Sequence, residues 1–205
     1  MPIDEIWSES RGIVRLTGPL DTATAFALVD AIQDSRNYYH YETLELHVAD
    51  CPGGTHEALQ YVLDHRGLWM DGTFTLRTIA LTQVASAGAL LVSMGTRGQR
   101  LAMPGARLLW HGVRFIATSS LPITVPMLHD LGSSLRLSEQ SVLDLLVTNG
   151  SPEPATQAEL RDRYLSLFLE ERWITATEAL EYALLDGIHT ISAPMAHTCS
   201  TTLRR

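Results

Sequence analysis

Three short stretches hold residues whose types and spacing could do nucleophilic chemistry. In Val84-Ala85-Ser86-Ala87-Gly88 a serine joins a β-branched strand pattern to a helix of small residues. A hydroxyl at such a junction is held on a tight turn at the positive end of the helix dipole. The flanking Ala and Gly let another backbone or a substrate come close. Val84 stands where the hydrolase elbow G-x-S-x-G has its first glycine, and taken alone the serine reads first as a helix N-cap. Cys51-Pro52-Gly53-Gly54-Thr55 also follows a strand pattern, and its two glycines expose backbone N–H groups that suit a developing oxyanion. By itself it is equally a strand-to-helix turn capped by Thr55. In Leu108-Leu109-Trp110-His111-Gly112 a histidine ends an apolar strand, where a hydrogen-bonded core imidazole is the commoner outcome. The other seven histidines are bland. His56 and His65 lack the spacing of a metal-binding helix pair, and no metal or bound cofactor is expected.

Together the three stretches say more than each does alone. They lie in order at the ends of consecutive parallel-type strands, where ligands of open α/β sheets bind. A nucleophile, a base and an oxyanion donor converge in that way.

Composition narrows the chemistry further. All 15 basic residues are arginines, so a Ser-Lys dyad, a Schiff-base lysine and a Walker-type phosphate lysine are excluded. The net charge of −8 argues against a nucleic-acid partner. Cys51 and Cys199 match no metal-ligand or redox spacing, which favours a reducing compartment. The first 15 residues carry Asp4, Glu5 and Glu9 and lack a basic start followed by an apolar run. No window approaches the roughly 18–20 apolar residues of a membrane span. The expectation is a cytoplasmic protein with no membrane partner.

The elements that must position these residues follow from periodicity. Residues 12–16 and 43–49 alternate as half-buried strands, residues 73–82 are strand-like, and 101–103 and 106–110 supply two more. Between them, Asp21 or Thr22 caps one helix, Thr55 opens a second, and residues 85–94 form a third. Strand and helix in alternation imply right-handed crossovers and a mostly parallel sheet. Residues 122–148 repeat Met127, Leu128, Leu131, Leu135, Val142, Leu145 and Leu146 at helical spacing, and the break at 150–156 is rich in Gly and Pro. Helices follow at 157–169 and 175–185, the second stopped by Asp186-Gly187, and a frayed tail is expected over 193–205. The expected organisation is a short segment 1–11, one domain over 12–192 with residues 112–150 as a protruding handle, and the tail.

The stretch TQVASAGALLVSMGTRGQRLAMPGARLLWH, residues 82–111, resembles the proteolytic subunit of the ATP-dependent Clp protease family. It shares that family's order of serine, small-residue helix, basic turn, proline and histidine, with His111 lying 25 positions after Ser86. CPGGT resembles the family's SPGG turn, and ITATEALEYALLDGI its helix near the domain's end. The resemblance implies a crotonase-like α/β fold and a serine endopeptidase that cleaves unfolded proteins or peptides through an acyl-enzyme. It implies Ser86 as nucleophile, His111 as general base, and the N–H groups of Gly54 and Ala87 as the oxyanion hole. For the third member, the register before the last helix offers Glu171 where the family has aspartate, and Asp162 in Arg161-Asp162-Arg163 competes with it. It further implies a homo-oligomer of heptameric or tetradecameric rings, with the handle helix between rings, and an AAA+ unfoldase as partner. The segment ahead of Gly12 is shorter than the family's pore-lining N-terminal region. Two other functions are compatible with the residues: a catalytically inactive or regulatory ring subunit, and a crotonase-type enzyme of acyl-coenzyme A.

Overall fold

The computed structural model describes residues 3–7, 12–114, 124–150 and 156–190. The expected tail at 193–205 and most of the break at 150–156 lie outside them. Two sheets organise the chain. The larger has the strand order β1-β2-β3-β4-β6-β9. Its members are β1 (Ile3–Trp7), β2 (Gly12–Thr17), β3 (Thr43–Ala49), β4 (Thr75–Ala80), β6 (Arg100–Ala102) and β9 (Gly187–Ile188). All its pairings are parallel except β1 with β2. The smaller sheet joins β5 (Gln83–Ala85), β7 (Arg107–Leu109) and β8 (Trp173–Thr175). There β5 and β7 are parallel and β8 is antiparallel. The protein is thus α/β with mixed sheets.

Alternation decides which face of the large sheet is covered. Val14 and Leu16 of β2 and Leu44, Leu46 and Val48 of β3 are fully buried, while Arg15, Glu45 and His47 point the other way. Right-handed crossovers between strands added in sequence put the connecting helices on one side. These are α1 (Thr22–Asn37), α2 (His56–Asp64) and α4 (Ala87–Ser93), with the single turn α3 (Gly67–Met70) leading into β4. Asp21 and Thr55 cap α1 and α2 by accepting from the N–H groups of Thr24 and Ala58.

The small sheet grows out of the large one. β4 and β5 are separated only by Leu81 and Thr82, so the strand-like run 73–82 ends as β4 and the chain passes at once into the small sheet. β6 continues into β7 after a four-residue turn. Cys51, just past β3, bridges to Val84 of β5. Three neighbouring strands therefore pass their chain ends to one place.

The helix read over 122–148 is α5 (Val125–Asn149), with residues 115–123 outside the described part. Its first half is exposed, Val125 at 79% and Leu137 at 70%. Its last turns pack inward through Leu143 and Leu146, and the buried Asn149 side chain donates to the carbonyls of Ser93 and Gly95 at 2.7 and 3.1 Å. α6 (Gln157–Glu170) follows, then β8 and α7 (Ala176–Glu181). The last helix is shorter than its pattern predicts, because Tyr182 caps it and Ala183 adopts a left-handed φ of 58°. Asp186, expected as a helix stop, instead binds the buried Arg100. None of the described helices is long and apolar enough to cross a membrane.

Candidate active site

Ser86 sits between β5 and α4 with φ 53° and ψ −120°. A non-glycine residue in such a conformation costs about 1–3 kcal/mol, so the surroundings must impose it. They do so through main-chain bonds on both sides. The Cys51 N–H donates to the Gln83 carbonyl at 3.1 Å, and the Ala85 N–H to the Cys51 carbonyl at 2.8 Å. The Ser86 N–H donates to the Leu109 carbonyl at 2.9 Å. Ser86 occupies the N-cap position of α4, but its side chain makes no capping bond there, so the hydroxyl is not tied to the helix.

The same register delivers the histidine. Ala85 lies opposite Leu109, so Ser86 and His111 leave the small sheet side by side. Both line one cleft of about 380 Å³, together with Gly54 and Ala87. The Gly54 and Ala87 N–H groups have no backbone partner among the described residues. Ala87 heads α4, whose first N–H groups lack partners within the helix. Gly54 is held by its neighbours: the Leu20 N–H donates to the Gly53 carbonyl at 2.8 Å, and the Thr55 N–H to the Leu20 carbonyl at 3.0 Å.

Among the described residues no hydrogen bond joins Ser86 to His111. His111 Nδ1 lies 2.6 Å from the Gly112 carbonyl. A carbonyl only accepts, so this contact requires the hydrogen on Nδ1 and leaves the Nε2 lone pair free. That is the tautomer a general base needs.

The two candidate carboxylates fare differently. Asp162 is exposed on α6 and does not line the cleft. Glu171 is the left-handed C-cap of α6, at φ 48° and ψ 53°. The chain around it runs beside the histidine strand: the Gly112 N–H donates to the Phe168 carbonyl and the Trp110 N–H to the Arg172 carbonyl, at 3.3 and 3.4 Å. The Glu171 carboxylate nevertheless pairs with Arg114 and not with the imidazole. The hydrogen-bonded Arg114 guanidinium holds its carboxyl below the usual range, and the nearby His111 adds to this.

The structure gives several residues roles that their types alone left undivided or unassigned. Gly53, with φ 121°, is the glycine that faces Ser86. The approach of α4 requires Gly88, where a Cβ would lie 2.6 Å from the Cys51 sulfur. Burial raises the Cys51 thiol pKa, so that sulfur is a packing group and no nucleophile. The apolar wall comes from Leu59, Leu90, Trp110, Val142 and Phe168, on five separate segments. Arg114 is a lone cation three residues after His111, and that proximity was the only signal for it. Among the described residues no cluster of His, Cys, Asp and Glu could hold a metal ion.

The fold and the cleft define an α/β protein with a serine, a histidine and free backbone amides at the carboxyl ends of parallel strands. The chain belongs to the Clp protease family, whose model matches residues 6–129. It is 36% identical over 114 residues to ATP-dependent Clp protease proteolytic subunit 2 of Nocardia farcinica, covering 55% of this chain and 50% of that one. To the ATP-dependent Clp protease proteolytic subunit of Streptococcus thermophilus it is 24% identical over 187 residues, 87% of this chain and 84% of the relative. A proteolytic subunit 3 of Streptomyces coelicolor is 28% identical over 129 residues, 60% and 54% of the two chains. The chain thus spans about half the length of the actinobacterial relatives and most of the streptococcal one.

Proposed function

We propose that this chain is a serine endopeptidase of the Clp type, on a crotonase-like frame spanning residues 12–192, and that it cleaves unfolded proteins or peptides. Ser86 Oγ attacks the scissile carbonyl while His111 Nε2 takes its proton. The N–H groups of Gly54 and Ala87 receive the oxyanion. His111 then returns the proton to the leaving amine, and water hydrolyses the acyl-enzyme by the reverse sequence. Glu171, with Asp162 as runner-up, orients the imidazole. Removing one oxyanion donor typically costs about 10²–10³ in rate.

The observation that carries this reading is the strained Ser86 at the mouth of a cleft that His111 also lines. The exposed apolar residues of α5, Val125, Met127 and Leu128, support a homo-oligomeric, heptameric or tetradecameric ring with that helix as the contact between rings. The relatives are named ATP-dependent, which supports an ATP-consuming partner, here proposed as an AAA+ unfoldase; a cytoplasmic location is part of the same proposal. The test is a fluorophosphonate probe applied to the wild type and Ser86→Ala while assembly is followed by size exclusion. Labelling of the wild type alone is expected; equal labelling of both removes the assignment.

A second reading is a ring subunit that assembles without cutting. Its support is the Arg114–Glu171 pair, which keeps the third group off the imidazole. Normal assembly without labelling of the wild type would favour it.

A further inference from the structure

Arg114 lines the cleft three residues beyond His111 and is the one fixed cation among the lining residues. Its guanidinium is taken up by Glu171. The two side chains keep 51% and 48% of their surface in solvent. So exposed a pair is weak, screened by salt and readily exchanged. His111 meanwhile satisfies Nδ1 on the Gly112 carbonyl, although the main-chain bonds from Gly112 to Phe168 and from Trp110 to Arg172 run the Glu171 segment beside it. Glu171 therefore has two claimants, Arg114 and His111, and only one is served in the resting arrangement. Apart from the backbone amides assigned to the oxyanion, the lining offers no other permanent charge, so Arg114 is the group able to pair with a substrate carboxylate.

We propose that Arg114 is a specificity-determining residue that selects an acidic side chain of the substrate, and that the substrate carboxylate, by taking Arg114, frees Glu171 to orient His111. The inference rests on the peptidase reading above. One carboxylate replaces another on the same guanidinium, so the number of ion pairs is conserved and the exchange is nearly balanced. A neutral residue at that subsite leaves Glu171 where it is, and a basic one meets the guanidinium directly. Glu171 is on this account a positioning residue, engaged only when the right substrate is bound. The chain's net charge of −8 would otherwise repel acidic peptides, which makes a local cation necessary for their recognition.

The test uses quenched fluorogenic peptides carrying Glu, Gln or Arg at each position around the scissile bond, with the wild type, Arg114→Gln and Arg114→Lys. At one position the wild type should prefer Glu to Gln by about two- to fivefold in kcat/KM, the range of an exposed ion pair, and the preference should shrink with added salt. Arg114→Gln should lose the preference and gain kcat on the Gln peptides, because Glu171 is no longer held. Arg114→Lys should keep part of the preference. A Glu-to-Gln ratio of one at every position, or a ratio unchanged in Arg114→Gln, overturns the proposal while Ser86 labelling persists. Absence of Ser86 labelling in the wild type overturns the peptidase reading instead, and this inference with it.

Discussion

Gly53 passes so close to Ser86 that a β-carbon on it would lie 3.0 Å from Ser86 Cβ and 3.4 Å from Ser86 Oγ. The glycine is required twice, by that approach and by its φ of 121°, a conformation L side chains rarely adopt. The loop after β3 and the turn after β5 are therefore fitted to each other at the atom on which the proposed chemistry depends.

Gly53→Ala should lose about 1–3 kcal/mol of stability and most of its reaction with a serine probe. Gly72→Ala is the control, with a φ of 81° but nothing within 4 Å of the added carbon. It should lose stability without losing labelling. Melting curves and labelling rates on the two variants separate backbone strain from the contact; unimpaired labelling of Gly53→Ala would show that the contact does not matter.

The two candidate carboxylates make opposite predictions. On a peptide carrying the preferred acidic residue, Glu171→Gln should lower kcat by about 10- to 100-fold, less than the full value of an acid–base group, because the Gly112 carbonyl already fixes the His111 tautomer. Asp162→Asn, on the exposed face of α6, should stay within about twofold of wild type. Peptide hydrolysis under saturating substrate decides between them, and a reversed pattern would move the role to Asp162.

Arg100 is 1% exposed and its guanidinium donates from Nε to Asp186 Oδ2 at 2.8 Å, while the Gly98 and Arg100 N–H groups bind the same oxygen. Burial alone would raise the Asp186 pKa, but these bonds and the Arg100 charge outweigh it and hold it below the model-peptide value. Asp186→Asn should destabilise by about 3 kcal/mol, because it leaves a buried cation without its partner. Urea unfolding measures it. A lowered carboxyl pKa stabilises above the unfolded value and is lost as pH falls through the folded one, so the difference between Asp186→Asn and wild type should narrow in acid.

His47 projects from the uncovered face of the large sheet, with its side chain only 15% exposed and Nε2 3.1 Å from Glu45. Burial lowers its pKa below 6.5, Glu45 acts against this, and Arg15 and His189 add to it. The unfolded chain then binds the proton first, so this group's contribution is complete above about pH 6.5 and declines as pH falls below it. His47→Gln should flatten the fall in denaturation midpoint below pH 6.5. A slope unchanged from wild type would assign that fall to other groups.

Much of the frame was legible because burial leaves a period in the sequence. Leu44, Leu46 and Val48 announced a strand with one covered face, and Asp21 and Thr55 announced helix starts, since each effect acts within a few residues. Less legible was the separate strand Gln83–Ala85 in a second sheet, which depends on what Cys51 and Leu109 offer as partners across long stretches of chain. The strand at Ile3–Trp7 was also missed. It lies ahead of the expected domain start, and it is held by antiparallel pairing to β2 more than by its own weak alternation.

The residue types alone determined that a lysine-dependent mechanism is impossible and that a serine, a histidine and a glycine pair occupy the ends of successive strands. Those are facts of covalent composition and of short-range pattern, and no folding event alters them. Only the tertiary structure decided that Glu171 rests on Arg114 and that His111 leans on its own neighbour's carbonyl. Which acceptor a donor finds depends on side chains brought together from distant segments and competing at ångström range, and linear spacing carries no record of that competition.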